Sequence, residues 1–270
     1  MPDSSTSQTE LRDAYAQVNE RIARAAARKG HKHKTVLMVA VTKTASPQRI
    51  VDLYNLGHRD FGENRVQQLE ERAAEVERLL ATQKTGDKRQ EIETRQSPPT
   101  PVGGPLRWHM IGHLQRNKVK NVAPIATLIH SVDSLRLAEE LNAFGLKRPT
   151  TDGAASPPID ILLQVNVAGE DQKFGLPPAA VNALAEQIGS MLHLRLRGLM
   201  TMAPYSDNAE DSRPVFARLA HLYEDLRGQS YVTSAFNLLS MGMTNDFEVA
   251  IEEGANIVRV GRALFGETEG

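Results

Sequence analysis

The chain has 270 residues, 40% of them hydrophobic, enough for one large α/β domain or two small ones. A net charge of −1 argues against a nucleic-acid or membrane-surface protein, and no apolar run reaches membrane-spanning length. With no cysteine, disulfides, zinc–thiolate sites and cysteine nucleophiles are excluded. The opening residues Met1 to Ser5 are not a signal peptide, so a cytoplasmic location is expected. Arg12, Arg21, Arg24 and Arg28 leave a mitochondrial location open, although Glu10, Asp13 and Glu20 argue against a transit peptide.

The first helix is predicted from Thr9 to Lys29, with Leu11, Ala14, Val18, Ile22 and Ala25 on one face and Gly30 as its stop. The tract His31-Lys32-His33-Lys34 reads as a solvated turn. Val36 to Lys43 is an apolar, β-branched run that reads as a buried strand. Alternation puts Leu37, Val39, Val41 and Lys43 on one face, and Met38, Ala40 and Thr42 on the other. An amine on the apolar face of a strand end is desolvated, which favours its neutral, nucleophilic form. The competing reading is a lysine that snorkels to water.

After Lys43 the chain alternates. Helix 47–56 opens on Ser46 and Pro47. A short strand at 60–64 is followed by a helix at 66–80, a strand at 107–112 and a short helix at 115–121. Strands at 126–132, 159–165, 194–202 and 236–240 alternate with helices at 134–144, 177–191, 209–226 and 247–253, and a last strand spans 257–260. Eight strands alternating with helices predict a parallel (β/α)8 barrel, and a doubly wound sheet is the alternative. Two polar segments, 82–104 and 149–158, break the rhythm and read as mobile surface insertions in a single domain spanning 1–270.

Barrel enzymes place their chemistry at the C-terminal ends of the strands. Lys43, Glu63, Asn64, His109, His113, Asp133, Asn166, Ser240, Arg259, Gly261 and Arg262 all fall at or near such ends. Ser240 to Asp246 leads into a short helix; Asn245 and Glu248 have capping-box spacing, with Thr244 as the alternative cap. A small hydroxyl, a glycine and a helix start suit a phosphate, although an ordinary capped helix uses the same groups. On the last strand Ile257, Arg259 and Gly261 share one face. A buried arginine needs a partner, and Glu63 or Asp133 would make Arg259 a structural ion pair. A strand-end lysine, a phosphate cradle and an arginine for a ring nitrogen are the parts that pyridoxal 5′-phosphate (PLP) requires.

The stretches VAVTKT around Lys43, FGENRVQQL from Phe61, WHMIGHLQRNKVK from Trp108, IHSVDS from Ile129, LLQVNVAGEDQKFGL from Leu162, LRLRGLMTMAP from Leu194 and LLSMGMTNDFEVAIEEGANIVRVGRALFG from Leu238 occur in this order. With them the chain resembles the pyridoxal-phosphate homeostasis protein family. The resemblance implies a single barrel of the alanine racemase N-terminal type, with Lys43 carrying the cofactor as a Schiff base. It implies that Arg259 faces the pyridine nitrogen. Ser240 and the backbone N–H groups of Gly261 and Arg262 hold the phosphate, and Asn64 lies beside the ring. Two positions depart from the family pattern: Arg65 stands where many relatives have Tyr, and Arg262 where relatives often have Thr.

The same resemblance points to storage and delivery of PLP, with PLP-dependent apo-enzymes as recipients, no nucleic-acid or membrane partner, and a monomer. Racemisation is the alternative, but it needs an acid or base on each face of the substrate. The second base of related racemases belongs to a separate C-terminal domain, which is not expected after Gly270. Tyr54, Tyr205, Tyr223 and Tyr231 are expected to pack rather than to replace it. An arginine partner also weakens the ring as an electron sink. A cofactor-free Schiff-base aldolase is a further alternative. A metal site from His109 and His113 fits poorly, because their spacing crosses a strand end. Lys118, Lys120 and Lys173 read as solvated rather than as a second cofactor site.

Overall fold

The computed structural model describes residues 4–28, 36–90, 104–149, 156–170 and 174–266. Eight parallel strands close a barrel in chain order: β1 (Leu37–Val41), β2 (Asp60–Glu63), β3 (Arg107–Met110), β4 (Ala126–Val132), β5 (Ile159–Gln164), β6 (Leu194–Met200), β7 (Leu238–Ser240) and β8 (Ile257–Val260). The (β/α)8 barrel expected from the sequence is therefore present. Closure comes from β1 against β8, which pairs Leu37 with Ile257 and Val39 with Arg259. That register places the Arg259 side chain on the inner face.

Alternation sorts the strand residues into two layers. Val39, Leu128, Leu162, Met200 and Ile257 fill the barrel interior. Met38, Ala40, Phe61, Ile129 and Val258 face outward and pack in the larger core shared with the helices. Each fully buried Leu, Ile or Val contributes about 1.5–3 kcal/mol relative to exposure, so the outer layer carries most of the driving force.

Among the described residues the helices are α1 (Ser4–Arg28), α2 (Pro47–Asn55), α3 (Val66–Gln90), α4 (Val119–Val122), α5 (Leu135–Leu146), α6 (Pro178–Gly189), α7 (Arg213–Arg227), α8 (Phe247–Glu252) and α9 (Arg262–Phe265). As expected, Ser46 caps α2 and accepts from the Arg49 N–H, with Pro47 in the first turn. Helix α1 buries Leu11, Val18, Ile22 and Ala25. Ion pairs Arg21–Glu248 and Arg28–Glu252 tie it to α8. Its expected stop at Gly30 and the tract 31–34 lie outside the described residues.

Two expectations need correction here. Helix α3 does not end near Leu80 but continues to Gln90, so the start of the polar segment 82–104 is helical. Good helix formers such as Lys and Gln let the helix run on into a polar segment. The capping box is also absent. Asp246 is the N-cap of α8, and its carboxylate accepts from the Met243 N–H (2.7 Å) and from the Ser212 hydroxyl (3.1 Å). Glu248 is drawn to Arg21 instead, a stronger partner than a backbone N–H.

Candidate functional site

A cavity of about 460 Å³ opens at the C-terminal ends of β1, β6, β7 and β8. Lys43, Tyr205, Asn245, Arg259, Gly261 and Arg262 are among its lining residues. Three of them are basic, and Asp246 is the acid in the lining, so the cavity favours an anion.

Lys43 reaches this cavity by a different route from the one the alternation predicts. The ladder to β2 ends where the Thr42 N–H donates to Gly62 O (3.0 Å). The Ala45 N–H then closes a turn onto Thr42 O (2.9 Å). Lys43 sits at the tip of that turn and is exposed, not desolvated on the strand face. The turn itself is firmly held. The Thr42 hydroxyl is buried against Gly62 O and the Glu63 carboxylate, and Arg72 of α3 donates to Lys43 O (3.0 Å) while pairing with Glu63. The lysine backbone is fixed and its amine is left in solvent at the cavity edge.

Arg259 is almost fully buried, 3% exposed. Its partners are not Glu63 or Asp133, which correct to other pairings: Glu63 points outward to Arg72, and Asp133 faces His113 (3.5 Å). Instead one Arg259 nitrogen donates to Ser240 Oγ (2.7 Å) and another to Thr201 O (2.8 Å). Burial lowers the Arg259 pKa to about 10, and the Asp246 charge works in the opposite direction. The guanidinium therefore stays cationic at neutral pH.

Gly261 turns β8 into α9. A Cβ at this position would lie 3.2 Å from Val41 O, so the small residue lets β8 close onto the strand end that carries Lys43. Arg262 reaches Asn245 Oδ1 (3.4 Å) across the cavity rim. Ser240 departs from expectation: it is buried, bonded to Arg259 and to His130 Nδ1 (3.0 Å), and is not among the cavity lining. Asn64 is half-buried, also outside the lining, with its Oδ1 buried and unpartnered among the described residues. A Cβ on Gly112 would fall 1.9 Å from Asn64 O, so Gly112 permits the close approach of that loop.

Other candidates sort themselves by their contacts. His109 and His113 do not converge: His109 is interior, and His113 stacks on Phe174 with ring centroids 4.0 Å apart. Tyr54, Tyr223 and Tyr231 pack as expected, against Arg59, Phe236 and Asn182 respectively. Tyr205 does not; it is 71% exposed at the cavity and donates to Asp207 Oδ1 (3.0 Å). Lys118 and Lys120 are exposed, and Lys173 lies outside the described residues. Sequence reasoning missed the Pro204–Ser206 wall and the Arg72 buttress. Only the position of Tyr205 just past a strand end hinted at the first, and nothing local hinted at the second.

The family model "Alanine racemase, N-terminal domain" matches residues 14–269. The pyridoxal phosphate homeostasis protein of Aquifex aeolicus is 37% identical over 255 residues, covering 94% of this chain and 97% of that protein. The human pyridoxal phosphate homeostasis protein is 31% identical, covering 95% of this chain and 86% of its own length. Among solved structures, PipY of Synechococcus elongatus with PLP bound is 30% identical with a TM-score of 0.69, over 91% of this chain and all of that one. An unknown protein from Bifidobacterium adolescentis reaches a TM-score of 0.80 at 31% identity, covering 98% of each chain. No described helix is long and apolar enough to cross a membrane. By matched length and by identity, this chain belongs to the pyridoxal phosphate homeostasis protein family, built on the alanine racemase N-terminal fold.

Proposed function

We propose that this chain binds PLP and serves its homeostasis, with Lys43 as the point of attachment. The observation that carries the reading is the meeting of an exposed strand-end lysine and a buried, cationic arginine in one cavity. The fit to the cofactor is supported by the chemistry of the lining. The cavity is cationic, matching a phosphate, and Gly261 leaves space where a Cβ would crowd Val41. Bound there, PLP supplies an aldehyde that accepts a primary amine and a pyridine ring that draws electrons.

In this reading Lys43 presents its amine, and Arg259 donates toward the ring nitrogen. Gly261 and Arg262 would hold the phosphate, and Asn64, outside the present lining, would approach the ring from the β2 side. Ser240 acts through Arg259, because its hydroxyl is already engaged by that guanidinium. An arginine partner leaves the ring nitrogen unprotonated, which suits holding and releasing the cofactor better than turnover. The exposure of Lys43 supports release, with PLP-dependent apo-enzymes as recipients and a monomer as the working form.

The visible absorption spectrum of the protein beside Lys43→Ala tests attachment. A yellow band with added PLP in the parent and none in the variant is the expected result. A parent that stays colourless overturns the reading and moves a cofactor-free Schiff-base aldolase forward, checked by borohydride trapping with a carbonyl substrate. Mixing the loaded protein with a PLP-dependent apo-enzyme tests delivery; no gain of activity above that from free PLP sinks it.

A further inference from the structure

The barrel interior holds a continuous line of polar side chains that leads from the barrel wall to Arg259. Arg107 donates to both oxygens of Asp60 (2.8 and 2.5 Å). Asp60 Oδ1 lies 3.0 Å from His109 Nε2, and His109 Nδ1 lies 2.9 Å from His130 Nε2. His130 Nδ1 lies 3.0 Å from Ser240 Oγ, which accepts from Arg259 (2.7 Å). The line crosses from β3 and β2 through β4 and β7 to β8, and Asp60, His109, His130, Ser240 and Arg259 are all buried. Buried polar groups of this kind are costly unless every one is paired. An apolar filling of the kind supplied by Val39, Leu128 and Leu162 would serve packing alone.

The ends of the line are fixed by the chemistry of Asp60 and Arg259. Burial would raise the Asp60 pKa, but hydrogen bonds from His109 and Arg107 outweigh it and hold the carboxyl at about 2. Ionised Asp60 only accepts, so His109 Nε2 donates to it. Arginine only donates, so Ser240 Oγ accepts from Arg259. Burial pushes His130 well below the ordinary histidine range, with the Arg259 charge adding to it, so it is neutral. If His109 carries its single ring proton on Nε2, its Nδ1 accepts from His130 Nε2–H, and His130 Nδ1 then accepts the Ser240 hydroxyl proton. Each donor meets one acceptor, all pointing from Arg259 toward Asp60.

We propose that Asp60, His109 and His130 are positioning residues that draw the Ser240 proton toward His130 and so keep a Ser240 lone pair on Arg259. Two fixed acceptors, Ser240 Oγ and Thr201 O, then define the guanidinium plane at the cavity floor. Without His130 the hydroxyl is free to turn its proton toward Arg259, and one of the two anchors is lost. The role toward the cofactor rests on the PLP reading above, whereas the direction of the line does not.

Two measurements test it. Imidazole nitrogen NMR on the ligand-free protein at neutral pH reads the tautomers directly and needs no variant. His109 and His130 are each expected to carry one proton, on Nε2. A proton on His130 Nδ1, or a doubly protonated ring, overturns the proposal. With PLP bound, His130→Leu is expected to shift the cofactor absorption band and weaken retention roughly tenfold, the worth of one charge-assisted hydrogen bond. His130→Asn, which returns an acceptor near the lost Nδ1, is expected to restore the parent band. Equal behaviour of the two variants overturns the positioning role. A parent that never colours with PLP, while its tautomers are as expected, faults the cofactor reading and not the line.

Discussion

The two halves of the barrel mouth carry similar polar residues and use them differently. On the β6–β7–β8–β1 side, Lys43, Arg259 and Arg262 line one cavity. On the β2–β5 side, three polar residues are engaged locally: Asp133 faces His113, His113 stacks on Phe174, and Asn166 Oδ1 accepts the N–H groups of Gly169 and Glu170 in its own loop. A polar residue at a strand end marks a binding site only when its partners hold it from behind and leave its working atoms on the cavity. Those whose hydrogen bonds close locally are loop structure.

The largest effect is expected from Arg259→Ala. It leaves Ser240 Oγ and Thr201 O without their donor in the barrel interior, costing about 3 kcal/mol. A urea unfolding curve measures that loss, and the yellow band of added PLP is expected to weaken in parallel. A similar loss is expected from acid, and it falls on the β2 side. Burial lowers the His58 pKa from an ordinary 6.5 to about 4, opposed by its bond to Asp60 O. The folded value is the lower one, so the unfolded chain binds the extra proton between the two values. Stability is then full above about pH 6.5 and falls by about 3 kcal/mol as pH drops through 4. Denaturation at stepped pH checks the slope, and His58→Gln is expected to flatten it.

Glu63→Ala is expected to cost about 2 kcal/mol, because it strands the largely buried Arg72 that holds Lys43 O. If the buttress matters to the site, Lys43 of this variant also attaches PLP more slowly, as stopped-flow absorbance would record. The smallest effect is expected from His113→Ala. PLP retention stays at the parent value and stability within about 0.5 kcal/mol, since His113 and the Phe174 it stacks on are exposed. A large loss of retention in equilibrium dialysis would show that the β2–β5 side belongs to the site after all.

Periodicity made the barrel legible. Val36 to Val41, Ala126 to Val132 and Ile257 to Val260 are apolar runs of strand length between helical patterns, and alternation put Ile257 on the face of Arg259, which the barrel turns inward together with Val39. Lys43 and Arg259 were legible as site candidates because each is a charge where an apolar strand ends. Ser240 was legible as a mouth residue, but its role was not. Whether its hydroxyl faces a ligand or a neighbour depends on how close β8 and β4 bring Arg259 and His130. Lys43 reaches the cavity edge from a turn and not from the strand face, since alternation ends wherever the hydrogen-bond ladder ends.

By itself the sequence determined the order and type of the elements, the closed parallel barrel and the residues available at its mouth. Those follow from local patterns of apolar side chains and from chain connectivity. Tertiary structure alone decided which mouth residues share a cavity, that Glu63 turns away to hold Arg72, and that Asp60, His109, His130 and Ser240 form one line to Arg259. These contacts join residues as much as 110 positions apart. A hydrogen bond depends on distances of a few tenths of an ångström, which only the packed barrel defines.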